Sequence, residues 1–313
     1  MTHDVFKNYP RGWFVVTDTH CVPDNTPLAL EFFGKKLIAF RNTGGEINVL
    51  DAYCPHLGAD LGVGGKIVEG CVRCPFHAWK FDSTGKCVEV PYAKKIPPKA
   101  KLNSYPTRTQ NDLVFMWHDP EGLPPNYEIP FLDEYQSDAW LPWSTNEIII
   151  KTHPRELVEN VADAAHFPTV HNTHVDKFEN IYDRHMATQV TEGVAYPRGG
   201  GKDNFSLRAT YYGPAYQVTK MNGVIDSIYF QAHTPIDHHT LHLRFGVSLK
   251  RFGDDEKCER FAKQYVDNLT LGYHEDVEIW ENKRYVERPV LCDGDGPIGK
   301  LRKWYRQFFE PRA

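Results

Sequence analysis

The stretch CPHLGADLGVGGKIVEGCVRCPFHAWKFD, from Cys54 to Asp82, contains two short motifs that each combine a cysteine with a histidine. Cys54 and His56 have the spacing C-x-H, and Cys74 and His77 have the spacing C-x-x-H. Zinc accepts both thiolate and imidazole, so a structural Cys₂His₂ zinc site is one interpretation. Such sites more commonly use a cysteine pair followed by a histidine pair. The mixed pairs therefore favour a metal centre in which the cysteines and the histidines are not arranged as in a zinc finger.

Mixed pairs can supply two thiolates to one iron and two imidazoles to another, which is the ligand set of a Rieske 2Fe-2S cluster. In this interpretation Cys54 and Cys74 bind one iron, and His56 and His77 bind the other. Because neutral imidazoles replace two thiolates, the reduction potential lies above that of an all-cysteine ferredoxin. We therefore expect an electron-relaying cluster here rather than zinc.

The composition indicates a globular protein of two domains. With 313 residues, 41% of them hydrophobic, the chain is long enough for two cores. The net charge of −5 is small, and no run of Lys and Arg is interleaved with aromatic residues. No stretch approaches about 18 consecutive apolar residues, and the first residues lack a signal-peptide pattern. We expect a cytoplasmic protein that binds no nucleic acid and does not insert into a membrane.

The remaining cysteines carry no recognisable pattern. Seven cysteines are an odd number with irregular spacing, so a disulfide framework is not expected. Five of them are predicted to be ordinary thiols, namely Cys21, Cys71, Cys87, Cys258 and Cys292.

The character of the sequence changes between residues 119 and 130. Short β segments separated by turn residues predict an all-β domain at 1–118. The stretch DPEGLPPNYEIP, at 119–130, contains four prolines and one glycine, which predicts a linker. Long antiparallel strands and a long helix at 255–285 predict an α+β domain at 131–313. Within it, Pro197–Lys202 is expected to be a hairpin loop, since it lacks the Ser/Thr of a phosphate-binding loop.

A second group of candidate metal ligands lies in ENVADAAHFPTVH, which begins within a predicted helix over 155–167. Asp163 and His166 are three residues apart and would share one helix face. His171 is five residues beyond His166, a rotation of about 140° on an unbroken helix. Two inward-facing histidines therefore need a distortion between them, which Pro168 would supply.

Two histidines and a carboxylate with open coordination positions form the facial triad that holds Fe(II) in non-haem oxygenases. We expect the carboxylate to be Asp276, because it shares the apolar face of the late helix with Tyr273 and Trp280. Glu275 and Glu278 would face solvent. Other histidines lack a partner at matching spacing and are expected to be surface or core residues, namely His238, His239, His242 and His274.

These motifs resemble, residue by residue, those of the Rieske non-haem iron oxygenases. The cluster ligands of that family are matched by Cys54, His56, Cys74 and His77. His166 and His171 match its mononuclear-iron histidines, Asp276 its late carboxylate, and Asp163 its bridging aspartate. The stretches PYAKKIPP, DVEIWENK and DGDGPIGKLRKWYRQFF are similar to the steroid-active branch, which includes 3-ketosteroid 9α-hydroxylase oxygenase components and cholesterol 7-desaturases.

The resemblance implies an N-terminal all-β Rieske domain followed by a helix-grip catalytic domain with a seven-stranded antiparallel sheet and helices. It also implies a homotrimer. In that assembly Asp163 would link the mononuclear-site histidine to His77 or His56 of another copy.

The expected activity is that of the terminal oxygenase component of a multicomponent Rieske monooxygenase. It would use O₂ and a mononuclear Fe(II) to hydroxylate an apolar, steroid-like substrate. No G-x-G-x-x-G follows a strand, so NADH or NADPH would be oxidised by a separate reductase, with or without a ferredoxin. Alternatives are hydroxylation or demethylation of a small aromatic substrate, and a non-enzymatic Rieske electron carrier.

Seven side chains are candidates for the wall of a substrate cavity, although core packing is the commoner role for such residues. They are Phe178, Tyr182, Phe205, Tyr216, Met221, Phe230 and Phe245.

Overall fold

The computed structural model describes residues 5–196, 200–222 and 225–312. It divides into two compact units. The N-terminal unit consists of Trp13–Asn126 and Ile236–His238, and the C-terminal unit consists of Met1–Gly12, Tyr127–Pro235 and His239–Ala313. The domain limits inferred from the sequence stay a prediction.

The N-terminal unit is built from short antiparallel strands, as expected for an all-β domain. Its strands are β1 (Gly12–Asp18), β2 (Leu28–Phe32), β3 (Lys35–Arg41), β4 (Ile47–Asp51), β5 (Lys66–Val68), β6 (Cys71–Arg73), β7 (Lys80–Phe81), β8 (Cys87–Glu89), β9 (Ser104–Tyr105), β10 (Thr107–Gln110) and β11 (Leu113–His118). They form three sheets with the orders β1-β11-β10, β2-β3-β4-β9 and β5-β6-β7-β8. Buried Phe40, Leu50, Val72 and Phe81 form part of one core. Cys54 and Cys74 belong to this core, so the chain around them is held by apolar packing.

The C-terminal unit contains one large sheet with helices packed against it. Its strands are β12 (Ser144–Ile150), β13 (Thr173–Asp183), β14 (Met186–Ala195), β15 (Asp203–Tyr212), β16 (Tyr216–Asn222), β17 (Ser227–Pro235) and β18 (Leu241–Leu249). They form a seven-stranded antiparallel sheet in the order β12-β18-β17-β16-β15-β14-β13. This sheet confirms the predicted α+β class.

Four helices accompany this sheet in the described part of the C-terminal unit: α1 (Arg155–Glu159), α2 (His166–Val170), α3 (Asp255–Asn282) and α4 (Ile298–Arg306). The long helix α3 begins at a defined cap, since the side chain of Asp254 accepts a hydrogen bond from the Lys257 backbone N–H. Its buried Ala262 and Val266 pack with Phe245 and Val247 of β18. Helix α3 is therefore fixed along the sheet by its apolar stripe.

The helix predicted over 155–167 is interrupted, and that prediction was wrong. Helix α1 ends at Glu159 and α2 begins at His166. Between them the Val161 carbonyl accepts a hydrogen bond from Asn180 Nδ2 (2.6 Å), a partner outside the helix. The Ala162 carbonyl lies against Gly296, where any side-chain Cβ would come within 1.7 Å of its oxygen. The backbone N–H groups of residues 160–163 still donate to carbonyls three residues earlier, so the α-helix gives way to tighter turns whose carbonyls face other parts of the chain.

The distortion predicted at Pro168, between the two histidines, is not seen, since the His171 N–H still donates to the Phe167 carbonyl (3.1 Å) as in a regular helix. Pro168 is the third residue of α2, within the first turn, where the missing N–H costs no helical hydrogen bond.

Of the predicted hairpin loop Pro197–Lys202, the first three residues lie outside the described residues.

Within the described ranges, no helix combines the length and the apolar character needed to span a bilayer.

Candidate metal centres

The two Cys-His motifs of the N-terminal unit form two copies of the same turn. The Cys54 carbonyl accepts from the Gly58 N–H (2.9 Å), and the Cys74 carbonyl accepts from the Ala78 N–H (3.2 Å). The backbone N–H of each cysteine also donates to a carbonyl five residues later, with distances of 2.9 and 2.8 Å. Gly58 and Ala78 have positive φ angles of 77° and 59°, which closes each turn. The local backbone thus presents one cysteine and one histidine twice.

The thiols of these turns are more deeply buried than the imidazoles. Cys54 and Cys74 are 2% and 3% exposed, whereas both histidines are only half-buried. Burial raises the pKa of the Cys54 thiol to about 11, and the neighbouring Cys74 adds to this effect. The rings of His56 and His77 lie together, with centroids 4.7 Å apart. Thiol is therefore paired with thiol and imidazole with imidazole, which fits a two-iron cluster with Cys₂ and His₂ ends.

An aromatic ring orients the histidine end of the site. Trp79 stacks on His56 with a centroid distance of 4.5 Å and an interplanar angle of 9°. Trp79 Nε1 donates a hydrogen bond to the Tyr92 hydroxyl (2.8 Å). The His56 ring is thus held by a residue that is itself anchored.

The C-terminal unit brings three separate side chains together at a second site. His166 is the first residue of α2, His171 caps the end of that helix, and Asp276 lies on α3. Their ligand atoms all lie within 4.8 Å of one another. The distance from His171 Nε2 to Asp276 Oδ2 is 3.4 Å. His171 is the C-cap residue of α2, with φ −108° and ψ 6°, so the regular helical geometry ends at this ligand candidate.

The donor set at this second site fits a mononuclear iron. Two imidazoles and one carboxylate are the ligands of the 2-His-1-carboxylate triad. Asp276 is 8% exposed, and a buried carboxylate is stabilised by a cation or a hydrogen bond. A His166 nitrogen, His171 Nε2 and an Asp276 oxygen lie close enough together to bind one ion. The residues therefore match the group that the sequence predicts.

Asp163 lies beside His166 but outside any helix. Its Oδ2 is 3.6 Å from His166 Nδ1, slightly beyond hydrogen-bond length, and its Oδ1 accepts from the Ala165 N–H (3.1 Å). Burial alone raises the pKa of Asp163, but His166 and these N–H groups more than offset it, so the pKa lies below its ordinary value. The predicted proximity is present, although a turn rather than a shared helix face produces it.

The sequence predicts that the Glu275 side chain faces solvent, and the structure places it at the second site instead. Its Oε2 lies 3.4 Å from His171 Nδ1, and the residue lines the cavity beside the second site. Burial alone lowers the pKa of His171, but the carboxylates of Asp276 and Glu275 raise it above its ordinary value. Glu278 is exposed, as predicted. The adjacent positions 275 and 276 both face the site because the cavity wraps around more than one face of α3.

The other histidines considered from the sequence are not part of this ligand group within the described residues. His242 Nε2 lies 3.1 Å from Glu147 Oε2, and the other three are exposed. Their assignment as surface or core residues agrees with these positions.

A cavity of about 840 Å³ adjoins the second site. It lies between α3 and the sheet, and its polar wall includes Gln189, Gln217 and Gln231. Apolar and aromatic walls come from Leu157, Val161, Leu207, Ala209, Tyr229, Tyr265, Leu269 and Tyr273. The volume lies in the upper part of the range of about 300–1,000 Å³ that is usual for ligand pockets.

None of the seven wall residues proposed from the sequence is among those found to line this cavity. Phe230 illustrates one reason, because Tyr229 and Gln231 line the cavity and successive strand residues point to opposite faces. Others contact residues that intervene: Phe245 packs on Tyr273 at a centroid distance of 4.7 Å, and Met221 accepts a hydrogen bond from Tyr265. The signal that sequence reasoning missed was strand register.

Comparisons with known proteins agree with both halves of this description. A model of the Rieske [2Fe-2S] domain matches residues 12–106, and a model of the 3-ketosteroid 9α-hydroxylase C-terminal domain matches residues 116–309. Among solved structures, dicamba monooxygenase bound to dicamba superposes with a TM-score of 0.76 at 20% identity, covering 95% of this chain and 96% of that one. This structural likeness supports the fold.

Relatives that match nearly the whole chain identify its branch within the family. The chain is 36% identical to a 3-ketosteroid-9-alpha-monooxygenase oxygenase component of Rhodococcus rhodochrous, over 98% of this chain and 84% of the relative. It is 29% identical to a cholesterol 7-desaturase of Xenopus laevis, over 96% of this chain and 72% of the relative. The chain therefore belongs to the Rieske non-haem iron oxygenases, in the branch of the 3-ketosteroid 9α-monooxygenase oxygenase components, and is an oxidoreductase with a Rieske cluster and non-haem iron.

Proposed function

We propose that this chain is the terminal oxygenase component of a monooxygenase that hydroxylates a steroid-like substrate. The observation that carries the proposal is the 840 Å³ cavity beside the two histidines and the aspartate of the second site. A relative at 36% identity is named for 3-ketosteroids, which are flat and mostly apolar. A large cavity with apolar walls suits that class of molecule.

The metal ligands follow from the two sites. Cys54, Cys74, His56 and His77 would hold the Rieske cluster in a domain that spans 1–118. His166, His171 and Asp276 would hold Fe(II) in a domain that spans 131–313, with 119–130 as the linker. When bound, the cluster supplies electrons one at a time and the mononuclear iron activates O₂. Electrons would come from NADH or NADPH through a separate reductase or ferredoxin.

The cavity walls would orient the substrate and exclude water from the reacting carbon. Tyr273 donates a hydrogen bond to Gln231 Oε1 (2.6 Å), and Gln231 Nε2 donates to the Tyr211 hydroxyl (2.9 Å). Gln231 is thereby held in one orientation within the polar wall that it forms with Gln189 and Gln217. A polar group at one end of a polycyclic substrate would face this wall, and the apolar rings would face the other side.

Asp163 would take the role that the family resemblance implies, a bridge to His77 or His56 of another copy within a homotrimer. In support, the Asp163 side chain is 39% exposed while its Oδ2 faces His166. Substitution Asp163→Asn is expected to leave both sites loaded but to slow reduction of the mononuclear iron by about 10–100-fold. Iron content, cluster reduction and single-turnover product would be measured together. Normal product yield with both sites filled would remove Asp163 from the electron path.

The proposed activity is tested by product analysis with a panel of 3-ketosteroids and sterols, O₂ and a surrogate reductase. A hydroxylated steroid is the expected product, and the Asp276→Asn variant with an intact cluster is the matched negative control. Oxidation of small aromatic acids but not of steroids would instead support the aromatic alternative. Absence of any oxygen uptake by fully loaded protein would leave the electron-carrier interpretation. The cytoplasmic location stays a prediction from the sequence.

A further inference from the structure

Each histidine of the second site has a carboxylate at its Nδ1 edge. Asp163 Oδ2 lies 3.6 Å from His166 Nδ1, and Glu275 Oε2 lies 3.4 Å from His171 Nδ1. The Glu275 contact meets the distance of a long hydrogen bond, whereas the Asp163 contact does not. Only the aspartate of this pair was expected from the sequence.

The two nitrogens of an imidazole lie on opposite sides of the ring and cannot both bind one ion. His171 Nε2 faces Asp276 Oδ2 at 3.4 Å, in the group that also contains a His166 nitrogen. His171 Nδ1 faces Glu275 at the other side. One ring nitrogen of His171 therefore points toward the candidate metal ligands, and the other points toward the Glu275 carboxylate.

We propose that Glu275 is a positioning residue for the mononuclear iron, which it affects through His171. By accepting a hydrogen bond from His171 Nδ1–H, Glu275 holds the tautomer in which Nε2 is free to bind metal. It also fixes the orientation of the ring. Metal-bound histidines commonly depend on such a carboxylate. The inference rests on the proposed function, in which His171 is an iron ligand.

The same helix, α3, carries both Glu275 and a candidate iron ligand. Asp276, the carboxylate ligand, is the next residue on the same helix. Helix α3 thus supplies both the ligand and the residue that orients a second ligand from another part of the chain. The Glu275 side chain is 31% exposed, so it is partly shielded from water but not part of the core. Its removal is therefore expected to disturb the iron site more than the fold.

The test measures Fe(II) affinity at the second site by anaerobic titration against a competing chelator, in protein whose cluster absorbance is intact. Glu275→Ala and Glu275→Met remove the acceptor, and both are expected to weaken Fe(II) binding by about 10–100-fold. Glu275→Gln keeps an acceptor oxygen and is expected to recover most of the affinity. Glu278→Ala, three residues along the same helix and exposed, is the matched control and is expected to bind Fe(II) normally.

The outcomes separate this inference from the proposed function. If the wild-type protein binds no Fe(II) beyond its cluster, the proposed function itself fails. If the wild-type protein binds Fe(II) and either acceptor-free variant binds it equally tightly, the role of Glu275 is overturned. Equal losses in Glu275→Gln and Glu275→Ala would also contradict it, because an acceptor oxygen would then make no difference. Cluster absorbance reports on the N-terminal unit only, so an unchanged near-ultraviolet circular dichroism spectrum of each variant is the check that the C-terminal unit, which carries Glu275, stays folded.

Discussion

The two metal centres differ in how far apart their ligands lie in the sequence. In the N-terminal unit, two turns with the same backbone hydrogen bonds present Cys54 with His56 and Cys74 with His77. In the C-terminal unit, His166 begins the short helix α2 and His171 caps its end, whereas Asp276 comes from α3, after all seven strands of the sheet. When the candidate ligands lie in local turns, residue spacing is enough to predict the site. When a whole sheet separates them in the sequence, their proximity depends on tertiary packing. Variants at the two centres test this difference.

The largest expected effect is loss of the cluster in Cys54→Ser. A serine hydroxyl is a poor substitute for a buried thiolate ligand, so we expect the visible absorbance of the cluster to disappear. The second site shares no ligand with the first, and it is expected to retain Fe(II) binding. Cys87→Ser is the control, because Cys87 is a buried thiol of the same core and is not a proposed ligand. Loss of colour in both variants would indicate a general folding defect instead.

The complementary change, Asp276→Asn, removes the negative ligand of the second site. We expect Fe(II) affinity there to fall by more than about 100-fold, beyond the effect of losing a residue that only orients a ligand. Cluster absorbance and potential should stay as in the wild type. Iron titration of Asp276→Asn beside Glu278→Gln gives the comparison. Equal iron binding by these two variants would contradict Asp276 as a ligand.

A smaller effect is expected from His77→Cys, which exchanges a neutral imidazole for a thiolate. An iron–sulfur cluster should still form, but its reduction potential should fall by on the order of 100 mV or more, because the thiolate restores negative charge. Redox titration followed by visible absorbance measures this shift. A potential equal to that of the wild type would argue that His77 does not bind the cluster.

The smallest effect is expected from Tyr92→Phe, which removes the acceptor of the Trp79 Nε1 hydrogen bond. The free energy of unfolding should fall by about 0.5–1.5 kcal/mol, the usual net value of one such bond. Denaturant titration monitored by loss of cluster absorbance measures it, and Tyr53→Phe, at an exposed tyrosine of the same unit, is the control. An unchanged midpoint would show that Trp79 is held over His56 by stacking alone.

The sequence supplied candidate ligands for both centres, and their roles stay predictions. Spacing alone indicated the two Cys-His pairs, because each pair lies within one local turn. Asp276 was chosen as a candidate because a helix of regular period carries it beside Tyr273 and Trp280. Glu275 was missed because periodicity assigns it to another face, and only the width of the cavity reveals that both faces are used.

Errors in the rest of the C-terminal unit came from contacts that lie far apart in sequence. The segment before His166 contacts Asn180 and Gly296, and no local pattern connects these residues to it. The cavity walls depend on which strand face meets α3, and a shift of one residue exchanges Phe230 for Tyr229. The aromatic content of the strands therefore indicated an apolar core in this unit, but it did not identify the residues that line the cavity.

The most direct test of the central claim, two iron centres of different kinds in one chain, is the metal and sulfide content of protein made under iron-replete conditions. We expect about three irons and about two acid-labile sulfides per chain, with negligible zinc and a brown colour. Asp276→Asn should reduce the iron by about one and leave the sulfide unchanged. A colourless protein with about one zinc and no sulfide would contradict the account.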